Sequence, residues 1–316
     1  MTTIETERSK LRFYAIIGIT TIFYSGMGSL MFWMFSNLVK SGNDLRPKDY
    51  FGLVFGCFSF FMAVYSIVRY FKNSPKVVVD NRQISINDET FYLTEIAQID
   101  LTGKRPFKYI FNFPMEGTML TLKDGTVKYF FDDMYSNSWK VKSFIQQVII
   151  NGKESAEITT HKVDQSEIRL ESFEIFKGNQ FTSLRGISLW GLIGFFTYLI
   201  SSSKNKMPPI WLLIFFGVFG TFWFAFNSYL MHYFALSDKY FAIRNHNFIW
   251  KDKVYKVDDI MEIVFETRQK MPNSLRIITK DFRNTLYPAG TLRDKVWLDM
   301  KDKLELKGIT VRNECI

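Results

Sequence analysis

Long uncharged apolar runs alternate with strand-like stretches along this chain, and the alternation occurs twice. Residues 13–39 and 51–68 form a first apolar pair, and residues 186–203 and 207–231 form a second. Each pair precedes a stretch, 72–152 or 232–312, that reads as short strands followed by one helix. Residues 13–35 carry no charge, 51–68 stop at Arg69, 186–203 stop at Lys204, and 207–231 carry none. Crossing the hydrocarbon core of a bilayer takes about 20 apolar residues, and uncharged runs of this length are uncommon in soluble cores. The pattern therefore predicts four transmembrane helices. The first run is too long for a signal-peptide core and lacks a clear small-residue cleavage site, so it is expected to stay in the chain.

The stretches between the apolar pairs switch to period two. Val77-Val78-Val79, the Asp80-Asn81 turn and the alternating Ile84 and Ile86 predict a first hairpin. Met119-Leu120-Thr121-Leu122 and Val127-Lys128-Tyr129-Phe130 flank Lys123-Asp124-Gly125-Thr126, and Asp-Gly between alternating runs is a strong hairpin signal. Val141, Phe144, Ile145, Val148 and Ile149 share one helix face, with Ser136 or Asn137 placed to cap it. The second stretch runs in the same order. Tyr233 to Leu236, Ser237-Asp238 and Tyr240 to Ile243 match the first hairpin, and 257–263 aligns with 93–99. Leu275 to Ile278 and Asn284 to Tyr287 match the later strands. Thr291-Leu292-Arg293-Asp294 reads as a capping box before the apolar face Val296, Trp297, Met300 and Leu304. An offset of about 160 residues between the copies points to an internal repeat.

Short strands closed by one amphipathic helix resemble the pleckstrin-homology-like fold. With an apolar hairpin ahead of each copy, the chain resembles the bacterial membrane-associated pleckstrin-homology-like proteins. The hydrophobic–acidic–Ile pattern at 93–99 and 257–263 carries the likeness. The resemblance implies a multi-pass membrane protein of α+β class, with four transmembrane helices and two small β-barrel modules each closed by a C-terminal helix. The expected divisions are an N-terminal tail (1–12), hairpin 1 (13–71), module 1 (72–152), a linker (153–183), hairpin 2 (184–231) and module 2 (232–316). It also implies a non-enzymatic, membrane-anchored scaffold or regulator that binds protein partners or lipid. One departure bears on ligand choice: the first hairpin loops offer only Asp80, Asn81 and Arg82, or Ser237, Asp238 and Lys239. That composition argues against phosphoinositide recognition by a basic loop.

Charge sharpens the picture. The net charge of +9 is spread along the chain, unlike the concentrated basic face of a nucleic-acid binder, so no nucleic acid is expected as a partner. Basic residues next to the apolar runs number eleven on the side of the termini and strand modules, against five in the short connecting loops. That bias predicts a cell-membrane protein with both termini and both modules in the cytoplasm. Asp, Glu, Lys and Arg are missing from the runs, which argues against a pump or an ion-driven transporter. A passive channel or lipid-handling transporter stays as the alternative, although the runs hold only scattered Ser, Thr and Asn. Ser25, Asn37, Ser59 and Asn227 are expected to bond from helix to helix.

Candidate sites are few. Lys104, Arg105, Phe107 and Lys108 form the densest basic cluster, with Tyr109, Phe111 and Phe113 following, and are the candidate contact with lipid head groups or an acidic partner. Gly52 and Gly56 have the GxxxG spacing of close helix packing, within one chain or between copies, which leaves a homo-oligomer open. The expected partners are the bilayer and a membrane protein. The three histidines, His161, His232 and His246, are far apart, and Cys57 and Cys315 have no ligand-spaced neighbours, so neither a metal nor a cofactor is expected. Asp132-Asp133 and Asp258-Asp259 would point to opposite faces of a strand and read as turn residues.

Overall fold

Apolar runs without charges form helices because a helix satisfies its backbone groups internally. In the computed structural model, three such helices among the described residues are long and apolar enough to cross a membrane: Lys10–Lys40, Pro47–Lys72 and Leu184–Ser202. The first contains a π-helical turn, Lys10–Tyr14, and then α1, Ala15–Lys40; the second contains α2, Phe51–Lys72. The fourth apolar helix, Ile210–Tyr229, falls short, since its described apolar run is Leu213–Tyr229. Among the described residues, the expectation of four spans is therefore corrected to three candidate spans. Leu230 and Met231, counted with the apolar run, lie outside the helix and are fully buried.

The structure describes residues 3–42, 46–157, 165–202, 210–250, 252–267 and 271–315, in two units, Met1–Ile158 and Thr159–Ile316. In unit 1, β1 (Ile4–Glu5), β2 (Val77–Val79), β3 (Gln83–Ile86) and β4 (Glu89–Tyr92) form one antiparallel sheet in that order. Val77, Val79, Ile84 and Ile86 are its buried face, as the alternation requires. The second sheet holds β5 (Ile96–Asp100), β6 (Lys104–Lys108), β7 (Asn112–Leu122) and β8 (Val127–Phe131). The long β7 organises it: its first half pairs with β6, and its second half lies between β5 and β8. Gly125 supplies the positive φ, +84°, of the β7–β8 turn. Helix α3 (Ser138–Phe144) continues in a π-helical turn, Ile145–Ile150.

The strand before the helical hairpin pairs with the strand after it. Ile4 lies opposite Val79 and Glu5 opposite Val78, so α1 and α2 leave from and return to one sheet. Asn137 holds the same tail: its Nδ2 donates to Glu5 O (2.7 Å) and its Oδ1 accepts from Glu7 N (2.7 Å). This is why Asn137, expected to cap α3, gives that helix no side-chain cap. The hairpin is tight where α1 and α2 meet. A Cβ added at Gly28 would come within 3.2 Å of Gly56 O and 2.8 Å of the Phe60 ring.

Unit 2 begins with α4 (Gln165–Ile168) and β9 (Glu174–Phe176), followed by α5 (Leu184–Ser202) and α6 (Ile210–Tyr229). One sheet runs β12 (Lys253–Lys256), β11 (Tyr240–Asn245), β10 (His232–Leu236), β9. The other runs β15 (Asn284–Pro288), β14 (Ser274–Thr279), β13 (Ile260–Glu266), β16 (Thr310–Asn313). β16 joins β13 in parallel after helix α7, Asp294–Leu306. Again the strand before the hairpin, β9, pairs with the strand after it, β10, with Phe176 opposite Phe234.

Among the described residues none of the four sheets closes on itself, so the expected closed barrels are not formed. In unit 2 the reason lies in the core. Phe234, Phe241, Ile263, Phe265, Leu275 and Ile277 from both sheets share one cluster with Trp297, Met300 and Leu304 of α7. The helix fills the space between the sheets, which then have no need to meet edge to edge. The capping box expected for α7 also fails: Arg293 holds the cap position without a side-chain bond, and Thr291 Oγ1 lies 3.3 Å from His246 Nε2.

Candidate membrane-surface site

The basic cluster that stood out in sequence is split by the strand it lies on. Alternate residues of β6 point to opposite faces. Phe107 is 2% exposed, against Tyr70 of α2 (5.4 Å between ring centroids) and Phe131 of β8 (5.3 Å). Lys104 is half-buried, 4.0 Å from the fully buried Glu116, and Glu116 also accepts from Gly103 N. Arg105 Nη2 donates to Thr102 O (3.1 Å) and lies 3.4 Å from Asp100 Oδ2. Of the four candidates only Lys108 is exposed.

The residues just beyond the cluster form the more distinctive surface. The tight turn between β6 and β7 carries Tyr109, Ile110 and Phe111, with Ile110 52% and Phe111 74% exposed. The turn is fastened to α2, with Asn73 Nδ2 donating to Lys108 O (2.7 Å) and Tyr65 OH to Tyr109 O (3.2 Å). The Tyr109 hydroxyl pairs with Ser66 Oγ, and its ring lies 5.6 Å from that of Tyr65 and 6.1 Å from that of Tyr70. Burial raises the Tyr109 hydroxyl pKa above its ordinary range, so it stays neutral. Sequence reading had the aromatics but not their exposure, since a turn residue and a core strand residue look alike in a short apolar run.

Below the turn, the base of unit 1 is held by cations on aromatic faces and carboxylates. The Arg8 guanidinium lies 5.5 Å from the Phe13 ring centre and 4.9 Å from that of Phe71, and it donates twice to Ser74 O. Arg12 pairs with Asp133 at 2.8 Å, and Lys142 pairs with Asp132 at 2.6 Å in a buried contact. The adjacent acids are thus turn residues with separate partners. Unit 2 has a buried pair of its own on its strands, Arg276 of β14 with Glu266 of β13 at 2.8 Å.

No protein-family model matches this chain, and no curated protein matches it. Among the described residues no group of His, Cys, Asp and Glu is arranged to hold a metal ion. His232 Nδ1 lies 2.9 Å from Pro288 O, and His246 is paired with Thr291; His161 lies outside the described residues. A shallow open cleft of about 410 Å³ lies beside Phe91, Leu122 and Lys123. Its two carboxylates serve the local fold, Glu95 accepting from Tyr92 N and Asp124 from Thr126 N.

The helix-packing candidates lie inside hairpin 1. Gly56 faces Gly28 and Phe32, and a Cβ on Gly52 would lie 3.5 Å from Met31 O. Two of the polar residues expected to bond between helices bond within their own. Ser59 Oγ donates to Phe55 O, and Asn227 Nδ2 to Trp223 O. An interhelical bond comes instead from Trp223 Nε1, which donates to Ser188 O (3.3 Å).

Proposed function

We propose that this chain is a membrane-anchored binding protein without catalytic machinery, whose strand-rich units recruit or regulate a membrane protein at the bilayer surface. The observation that carries the reading is the absence of any spacer between helix and sheet. α2 ends at Lys72 and β2 begins at Val77; α6 ends at Tyr229 and β10 begins at His232. Side chains then lock the joint: Asn73 onto Lys108 in unit 1, and Asn245 Nδ2 onto Ser228 O (2.7 Å) in unit 2. A domain held this closely to an apolar helix cannot survey the aqueous phase, and its ligands are met at the membrane. The charge bias favours a cytoplasmic side for unit 1, and the tail that pairs with β2 would share it. The well-placed charges, Arg12–Asp133, Lys142–Asp132 and Arg276–Glu266, hold the fold together, which supports a binding role over a chemical one. The element order supports kinship with the membrane-associated pleckstrin-homology-like proteins, on open sheets.

The test is crosslinking of the full-length protein in native membranes, purification in mild detergent, and mass spectrometry of proteins and lipids. The reading predicts a specific protein enriched over an unrelated membrane protein of similar size. Recovery of only the bulk lipids and no enriched protein would contradict it.

A further inference from the structure

We infer that the β6–β7 turn of unit 1, Tyr109-Ile110-Phe111, is a lipid-inserted tip that sets the depth and tilt of the unit in the bilayer interface. The inference rests on the reading of α1 and α2 as membrane-crossing helices. Two apolar side chains at the end of a hairpin, 52% and 74% exposed, serve no purpose in the unit's own core. Their place is decided by what the turn is fastened to. Tyr65 and Ser66 hold Tyr109, and Ser66 lies six residues before the helix end at Lys72, about 9 Å along the axis at 1.5 Å per residue.

Arg69 is the first charge on α2 after the apolar run, and its Nε donates to the Tyr65 hydroxyl (3.0 Å) that binds Tyr109 O, so the turn sits at the helix's polar boundary. The helix there already presents a lipid-type surface: Phe61, Val64 and Val68 are 61%, 62% and 57% exposed. Ile110 and Phe111 extend this surface sideways from the helix. The occupant is therefore the chain's own bilayer, by continuity with the helix face that it covers.

The surroundings have the chemistry of the interface rather than of the hydrocarbon centre. Tyr65, Tyr70 and Tyr109 cluster there, rings apolar and hydroxyls polar, as interfacial aromatics do. Lys72 and Lys108 are both exposed near the turn, where an anionic surface would attract their charges. The backbone carbonyls of Lys108 and Tyr109 accept from Asn73 and Tyr65, which lowers the cost of taking this turn out of water. A turn in contact with one transmembrane helix, two of its carbonyls satisfied and its apolar tip bare, belongs at the level where acyl chains begin.

The experiment uses full-length protein with Cys57→Ser and Cys315→Ser, reconstituted into vesicles of phosphatidylcholine and phosphatidylglycerol. Single cysteines carrying an environment-sensitive fluorophore replace Phe111, Tyr92 (57% exposed, on β4) or Phe58 (53% exposed, mid-way along α2). Lipids with a quencher high or deep on the acyl chain report depth. The label at 111 is expected to emit at shorter wavelength than that at 92 and to be quenched at least about twofold more by the shallow lipid, as for an interfacial segment. The label at 58 is expected to be quenched most by the deep lipid. If 58 is quenched and 111 behaves as 92 does, the tip is in water and the inference fails while the membrane reading stands. If 111 is blue-shifted but no lipid quenches it, protein covers the tip and the inference fails. If 58 is not quenched, the membrane reading fails.

Discussion

Units 1 and 2 each carry a helical hairpin between two paired strands, and they make that joint with different chemistry. In unit 1 the helices touch through glycine, Gly28 against Gly56. In unit 2 they meet through rings, Phe196 on Phe216 (4.7 Å) and Trp190 near Phe224 (6.4 Å), and a Cβ at Gly191, Gly194, Gly217 or Gly220 would meet nothing within 4 Å among the described residues. In unit 1 the sheet is tied to α2 through tyrosines and Asn73; in unit 2 it is tied to α6 through Asn245, Asn247 and Ser228. Each unit also shows a bare apolar turn beside the end of its second helix. It follows β6 in unit 1, but in unit 2 it links β11 and β12, with Ile249 78% and Trp250 73% exposed and Phe248 near Phe224. The joint is common to both units, and the residues that make it differ. Such a feature cannot be found by matching one half of the sequence to the other.

The buried charges should separate the units most strongly. Arg276→Met leaves Glu266 buried without its charge partner and should cost about 3–5 kcal/mol, whereas Arg276→Met with Glu266→Leu should recover most of that. Hydrogen exchange of the full-length protein in detergent should show the loss in β13 to β15, with unit 1 unchanged. A loss spread equally over both units would break the comparison.

Glycine packing gives the next effect. Gly56→Leu overfills the α1–α2 contact and should cost about 1–3 kcal/mol, read as a lower thermal midpoint in detergent. Gly220→Leu has open space and should leave the midpoint within about 0.5 kcal/mol. Equal effects would show that the helices of unit 2 also pack through glycine.

The two asparagine ties differ by burial. Asn245 is 2% exposed and accepts from Asn247 N and Phe248 N as well as donating to Ser228 O. Asn245→Ala should cost about 1–3 kcal/mol and speed exchange in the 246–250 turn, while Asn73→Ala, at a more open site, should cost under about 1 kcal/mol.

A last effect depends on pH and belongs to unit 2. Burial, and then the charge of Lys177, lower the His246 pKa to about 4 from an ordinary 6.5. A histidine that binds its proton less well when folded stabilises fully above 6.5 and loses that contribution as pH falls through about 4. Exchange in β10 and β11 should rise between these values in the native protein, and His246→Gln should flatten the rise.

Much of the fold was legible where side chains alternate over several residues. Val77 to Ile86, the Asp124-Gly125 turn and the face of Trp297, Met300 and Leu304 all lie where the pattern puts them. The strands that tie each hairpin to its sheet were not legible. β1 has two residues and β9 three, too few to show a period, and their pairing joins positions about 75 or 60 apart. The caps failed for a related reason: Asn137 and Thr291 found partners distant in sequence, Glu5 and His246, that local pattern cannot weigh. The basic cluster was legible as composition only. Partners on other strands, Glu116 and Asp100, took Lys104 and Arg105 and left the tip to Ile110 and Phe111.

The central claim is that unit 1 is carried by a helical hairpin that crosses a membrane and returns. Single cysteines at Thr3, Lys48 and Asn81, in the Cys57→Ser, Cys315→Ser background, would be treated with a membrane-impermeant maleimide in sealed vesicles of each orientation. Thr3 and Asn81 should react from the same side and Lys48 only from the other. Reaction of all three from one side would show that α1 and α2 do not cross, and the account of unit 1 as a membrane-carried domain would fall.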